Sequence, residues 1–241
     1  MKMDVCDSAE FKRLLEALVH ELLDASEHFH LHQGLAAASS EYAVEFNQAA
    51  GFWSLTVTAH IDATLIRVCK AYDLYGGGKP SLNLRNFLET IQANLEFFDE
   101  PNFRERLKDN PYVDSLAKDS KKPDAAQLQK DLDWVTDVNP LVKKLTIWRH
   151  NFIAHRSRKT ALAPGEFTKQ YPLAFSEIES LITKGTDIVN EYSRLFNASH
   201  YVTYEADDYK QVLKAIREHL ERREARIQEE IDAVNAAENA R

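Results

Sequence analysis

Apolar residues recur every three or four positions over most of this chain, and that spacing predicts a succession of helices. Phe11, Leu14, Leu15, Leu18, Val19 and Leu22 form the first stripe. Asp7 stands three residues before Glu10, the spacing of a capping box, so a first helix is expected over residues 7 to about 32, ended by Gly34. A second, longer helix is expected from Ser39 or Ser40 to about residue 75, burying Phe46, Trp53, Val57, Ile61, Leu65, Val68 and Tyr72. Gly76-Gly77-Gly78 followed by Pro80 stops it, and Ser81 caps a third helix through Asn83, Phe87, Ile91 and Leu95 to about residue 98.

Residues 99 to 123 carry Pro101, Pro111, Pro123 and many charges, which predicts an irregular insertion with one short helix near 103 to 108, placed to reach over a site. Asp124 before Gln127 predicts a capped helix to about 136. Asn139 and Pro140 supply a cap and a first-turn proline for a further helix to about 155. Residues 157 to 172 contain Pro164-Gly165 and no periodicity, so a loop is expected, after which Ser176 and Glu179 open a helix to about 198. Asp207 and Asp208 begin a last, highly charged helix in which Leu213, Leu220, Ile227 and Val234 lie seven apart, with Ile216 and Ile231 near the complementary positions. Arg223 and Glu224 interrupt that seam, so a single amphipathic helix packing on its own domain and fraying after Asn235 is expected rather than an intermolecular coil. The fold class is thus all-α: a helical domain over 1–200 with an irregular insertion at 99–123, then a C-terminal helical extension over 201–241.

Composition agrees with this and narrows the setting. With 44% hydrophobic residues and only 7 Gly and 7 Pro in 241, the chain suits a compact helical protein. Cys6 and Cys69 are too far apart for a metal or redox spacing, which makes a reducing cytoplasm the default. Asp4, Asp7 and Glu10 stand where a signal peptide would carry positive charge, and no uninterrupted apolar run approaches a membrane span, so a soluble protein is expected. A formal net charge of -8 argues against wholesale coating of nucleic acid. Yet residues 138 to 165 contain no Asp or Glu and do contain Lys143, Lys144, Arg149, Arg156, Arg158 and Lys159. Such a strip on an acidic body can steer an anion to itself, although a solvated helix face reads the same way.

Inside that strip stands Trp148-Arg149-His150-Asn151-Phe152-Ile153-Ala154-His155-Arg156. Arginine keeps its charge and offers a planar fork of donors suited to phosphate oxygens, while histidine gives and takes protons near neutral pH. The arrangement of an Arg, a polar residue, four more positions and a His resembles the R-x(4 to 6)-H signature of the HEPN superfamily. The ending Ile153-Ala154-His155-Arg156 is most similar to its AbiU-type branch, which is associated with abortive phage infection. Tyr72-Asp73-Leu74, Ser81-Leu82-Asn83-Leu84-Arg85 and Phe175-Ser176-Glu177 extend the likeness over roughly residues 10 to 220. The chain departs from the branch with His150 where an Asp is usual and Asn151 where a Lys is usual.

The resemblance implies an HEPN-like helical bundle that cleaves RNA as a homodimer, with neither metal nor other cofactor, in a toxin or phage-defence role and with an antitoxin protein as a further partner. It implies His155 as general acid or base toward the ribose 2′-hydroxyl and Arg149 as the holder of the non-bridging phosphate oxygens. His150 or Asn151 would orient phosphate or a partner side chain, the basic strip would bind the RNA, and the product would carry a cyclic phosphate. On a regular helix Arg149 and His155 lie about 120° apart. Either the helix end unwinds around residues 153 to 155 or a second copy supplies half the site, and the resemblance implies the second. Leu141, Leu145, Trp148, Phe152 and His155 share one stripe, while Asn151 and His155 are neighbours four apart.

Other readings stay open at this level. His155 also fits a half-buried helix-end residue favoured by the helix dipole, Arg149 an ordinary ion pair, and the whole motif a non-catalytic module that dimerises or binds RNA or a partner protein. His28 and His32, four apart beside His20 and His30, have the spacing of a zinc pair, but no metalloprotease pattern accompanies them and a solvated helix end is the plainer reading. Gly76-Gly77-Gly78-Lys79 lacks the glycine spacing, the following Ser or Thr and the preceding strand of a phosphate loop. Asp62, Arg67 and Asp73 on the second helix read as internal ion pairs or, alternatively, as support beneath the motif helix. The absence of a G-x-S-x-G elbow excludes the commonest acyl-transfer signature. Phe52 and Trp53 form either a base-stacking pair or, as expected of a central helix, core.

Overall fold

In the computed structural model, which describes residues 2–74, 81–118, 122–153, 158–204 and 206–239, every regular element among the described residues is a helix and none is a strand. The chain forms two compact units, one of Met1–His28 with Asp62–Thr203 and the other of Phe29–Ile61 with Tyr204–Arg241. Residues 204–241, read from the sequence as part of an extension, therefore group with 29–61. Among the described residues no helix is long and apolar enough to cross a membrane. Gly76, Gly77, Gly78, Lys79 and Pro80 lie outside the described residues.

Helix α1, Ser8–Glu41, starts as its sequence demands: Asp7 accepts the Glu10 N–H at 2.7 Å, and the Glu10 carboxylate accepts the Cys6 N–H at 2.8 Å. It does not end at Gly34. A Cβ built there would stand 2.6 Å from the Tyr209 hydroxyl, so this glycine permits close approach of a side chain rather than a helix stop. The Ser39 and Ser40 hydroxyls bond back to the Ala36 and Ala37 carbonyls at 2.7 and 3.2 Å and cap nothing. The second helix expected from them is instead two pieces, α2 (Ala43–Asn47) and α3 (Ala50–Ala71).

In the smaller unit Leu35, Ala38, Tyr42, Trp53 and Leu213 make the core, with Phe46, Val57, Tyr209 and Ile216 packed against it. The Phe52–Trp53 pair splits: Trp53 is 7% exposed and belongs to the core, Phe52 is 62% exposed. The last helix, α12 (Tyr209–Asn239), is fixed by its first turns, where Arg217 stacks over the Tyr42 ring at 4.3 Å and donates to the Glu41 carbonyl at 3.0 Å. Farther along, Ile227, Ile231 and Val234 are exposed.

The larger unit is built around Phe11, which is fully buried against the rings of Phe87, Phe98 and Phe196 at 5.3, 5.8 and 4.9 Å. Helix α4, Leu84–Ala93, is capped by Asn83, not Ser81: the Asn83 side chain accepts the Asn86 N–H at 2.8 Å. A tight 3-10 turn, Leu95–Phe98, follows. The expected irregular insertion holds two helices, α5 (Glu100–Arg106) and α6 (Val113–Lys118). Pro101 sits in the first turn of α5, where its missing N–H goes unnoticed, and Phe103 and Ala117 are buried. Helix α7, Ala125–Trp134, is capped by Asp124, which accepts the Gln127 N–H at 2.8 Å.

Three helices then follow that carry or flank the motif: α8 (Pro140–Trp148), α9 (Arg158–Leu162) and α10 (Pro164–Gln170). The loop expected over 157 to 172 is thus largely helical. Its two helices have 5 and 7 residues, too short to display a 3.6-residue period in sequence. Helix α11, Phe175–Asn197, begins with the Glu177 carboxylate accepting the Ala174 N–H at 2.8 Å, so the expected cap at Ser176 falls inside its first turn. Gly185 lies where a Cβ would meet Leu22 at 2.8 Å and the Tyr72 hydroxyl at 3.1 Å, and Tyr72 donates to the Leu181 carbonyl at 2.6 Å. This close crossing seats the end of α3, and with it Asp73.

Candidate functional site

Asn139 accepts the Leu141 N–H at 2.9 Å and Pro140 fills the first turn, so α8 begins where the sequence places it. Val142 and Leu145 bury its inner face. The sequence places the end of this helix at about residue 155; after Trp148 it widens into a π-turn over Arg149–Ile153. Such turns shift the phase of the side chains that follow and recur at functional positions.

Aromatic packing accompanies the change. The Trp148 indole N–H donates to the Tyr171 carbonyl at 2.7 Å, its ring lies 5.2 Å from Phe152 and 5.4 Å from Phe167, and Phe167 lies 5.5 Å from Tyr171. The Asn151 amide donates to the Ile147 carbonyl at 2.9 Å, a bond that in a regular helix falls to a backbone N–H four residues on. Neither Phe167 nor Tyr171 was identified from sequence as motif support. The available signal was their spacing of four, three residues after a proline able to open a helix.

Arg149, first residue of the π-turn, has a side chain 26% exposed, and its Nη2 lies 2.9 Å from Oδ2 of Asp73, whose side chain is 16% exposed. The partners are 76 positions apart. Of the three charged residues noted on the second helix, Asp73 therefore supports the motif. Arg67 pairs with Asp24 at 2.9 Å and Glu21 at 3.4 Å, while Asp62 is exposed, contrary to the expectation of an internal pair. Burial pushes the nearby Cys69 thiol up to about 12, with the Arg149 charge lowering it and Asp73 raising it. The thiol is accordingly neutral at ordinary pH and leaves the Arg149–Asp73 pair as a cation held by a carboxylate.

His150 and Asn151 are half-buried on the π-turn. Along the basic strip Lys143 and Arg158 are exposed, whereas Lys144 pairs with Glu177 and, chiefly through that hydrogen bond, holds its carboxyl below the usual carboxylate value. His155 and Arg156 lie outside the described residues, as does the side chain of Lys159. The Nδ1 of His32 lies 2.9 Å from the Val57 carbonyl, and among the described residues no group of three or more His, Cys, Asp or Glu is arranged to hold a metal ion. What the described residues bring together is a permanent cation of defined orientation on a widened turn, backed by a carboxylate and framed by aromatic rings. That arrangement suits an anion with planar or tetrahedral oxygens, such as phosphate.

The sequence model of one family, HEPN_AbiU2 (AbiU2), matches residues 8–214. No curated protein matches the chain, and neither does any solved structure.

Proposed function

The chain belongs to the HEPN_AbiU2 family, and from that premise we propose that it is a metal-independent endoribonuclease of toxin or phage-defence type, acting as a homodimer. The observation that carries this reading is the state of Arg149: half-buried, at the first position of a π-turn, and oriented by a carboxylate from a distant segment. A guanidinium whose direction is fixed beforehand stabilises charge that builds on phosphorus better than one that must be ordered during the reaction.

In the proposed reaction a base removes the proton from a ribose 2′-hydroxyl, and the oxygen attacks the adjacent phosphorus. The P–O5′ bond breaks, the leaving oxygen takes a proton, and a 2′,3′-cyclic phosphate remains. His155 exchanges one of these protons, by the family resemblance, and Arg149 holds the non-bridging oxygens. His150 and Asn151 stand on the same turn and orient the phosphate or the second copy's side chains. Lys143 and Arg158, exposed on the strip, contact the RNA backbone together with Arg156 and Lys159.

The test is incubation of purified protein with end-labelled single-stranded RNA in the presence of a chelator, beside Arg149→Ala and His155→Ala. Cleavage to cyclic-phosphate ends by the wild type alone is expected, blocked by a 2′-deoxy substitution at the cut. If all three proteins bind RNA and none cuts it, the chain is a binding module and the ribonuclease reading fails.

A further inference from the structure

We infer that Asp73 is a positioning residue for RNA cleavage: through its bond to Arg149 it sets the direction in which the guanidinium meets phosphate. The inference rests on the ribonuclease reading above. An arginine side chain has many rotamers, so an untethered Arg149 at the surface would sample many orientations. The Asp73 Oδ2 contact at 2.9 Å removes that freedom by committing Nη2. A guanidinium has five N–H donors in a rigid plane, so committing one nitrogen, with the plane already attached to the chain through Nε, narrows where the remaining edge points.

Asp73 is itself well held. It follows directly on Tyr72, which is 3% exposed and donates to the Leu181 carbonyl at 2.6 Å, and it comes two residues after the end of α3. The neighbouring Cys69 thiol remains protonated and adds no charge that would compete for Arg149. A carboxylate anchored in this way directs the cation without touching substrate.

The test compares single-turnover cleavage of labelled RNA by wild type, Asp73→Asn, Asp73→Glu, Arg149→Ala and the double variant Asp73→Asn/Arg149→Ala. Affinity is measured alongside for RNA made uncleavable by 2′-deoxy substitution, as is melting temperature. Asp73→Asn is expected to slow the cleavage step by roughly 10- to 100-fold with affinity changed less than about threefold, because orientation is lost while the cation stays. Asp73→Glu, which keeps the charge but moves it by one methylene, falls between the two. The double variant is expected to cleave no more slowly than Arg149→Ala, as follows when Asp73 affects cleavage through that side chain.

A purely structural pair would lower the melting temperature and leave the cleavage step unchanged at temperatures where the variant is folded. If Asp73→Asn cleaves within about twofold of a wild type whose Arg149→Ala variant is inactive, the positioning role is overturned and the ribonuclease reading stands. If wild type and Arg149→Ala are equally inactive, the ribonuclease reading falls and this role falls with it. Should Asp73→Asn fail to fold, Asp73→Glu decides: a fall of about fivefold or more at unchanged melting temperature supports the role, and wild-type cleavage overturns it.

Discussion

Arg106 and Arg149 belong to the same unit and are both half-buried, yet their surroundings differ in kind. Arg106 gives Nε and Nη2 to the Phe196 carbonyl at 3.0 and 2.7 Å and Nη1 to the Ser8 hydroxyl at 3.2 Å, and its guanidinium carbon lies 3.8 Å above the Phe196 ring. Two nitrogens and a face go to the end of α11, whose final carbonyls lack helical partners, and the third nitrogen goes to the start of α1. Among the described residues no carboxylate pairs with it, and burial lowers the group from its ordinary value to about 10, still cationic at neutral pH. Arg149 instead bonds a carboxylate through one nitrogen, on a turn wider than an α-helix. The first arginine is closed by structure on several sides, whereas the second is aimed. An arginine's work is thus read from how its donor edges are used, which residue type alone does not tell.

The sharpest way to break this contrast is to remove each guanidinium in turn. Arg149→Ala is expected to reduce RNA cleavage by about 100- to 1,000-fold, the range for losing one group that stabilises developing charge, with melting shifted by only a few degrees. Arg106→Ala is expected to keep cleavage within about threefold when assayed well below its own melting temperature. Parallel kinetics and thermal melts decide: if Arg106→Ala also abolishes cleavage in the folded protein, the two arginines do not differ in the way proposed.

That contrast was only partly legible beforehand. Asp7, Asp124 and Asn139-Pro140 announce their helices because a cap acts over three residues, within the reach of a sequence pattern. Gly34, Ser39, Ser40, Ser81 and Ser176 carry the same residue types without the same role, since tertiary neighbours decide whether a glycine ends a helix or makes room for a tyrosine. Phe167 and Tyr171 belong to a stretch too short to show its period. Arg149 and His155 could be picked out as candidates from spacing and family resemblance, but the 76-residue link from Arg149 to Asp73 could not. Local sequence therefore identifies candidate side chains, while the partners that fix their direction come from the fold.

Next in size is the frame of the π-turn. Phe167 is 9% exposed and touches Trp148 and Tyr171, so Phe167→Ala is expected to cost about 3 kcal/mol by leaving a cavity beside the motif. Cleavage is expected to fall with it, because the turn that presents Arg149 loses its packing. Urea unfolding and cleavage measured on the same preparations check this. Destabilisation with full cleavage in the folded protein would separate the aromatic frame from the site and sharpen the role of Asp73.

Smaller still is the stability cost of the closed arginine itself. Arg106→Ala leaves the Phe196 carbonyl to water or to nothing and is expected to cost about 2 kcal/mol, the range for a hydrogen bond to a charged group. Arg106→Lys is expected to recover less than half, because an ammonium cannot use one planar face for a ring and two nitrogens for one carbonyl. Denaturant midpoints measure both.

The smallest effect concerns a third cation, Lys144, five residues before Arg149 on the motif helix. It pairs with Glu177 across 33 positions, so like Arg106 it has a partner within the chain although it belongs to the basic strip. The Lys144 hydrogen bond holds the Glu177 carboxyl below its ordinary value in the folded chain. A carboxyl depressed on folding contributes stability in full above its unfolded value and loses it as pH falls through the folded one, so the contribution present at pH 7 should disappear in the acid range below about 4. Lys144→Met is therefore expected to melt about 1 to 3 °C below wild type at pH 7, a gap that narrows as pH falls through the acid range, as suits a half-exposed ion pair. Lys143→Met, at an exposed position on the same helix, is expected to weaken RNA binding and lower its salt dependence without this pH-dependent gap in melting. A Lys144 variant that loses RNA affinity as Lys143 does, at unchanged stability, would move Lys144 to the side of Arg149.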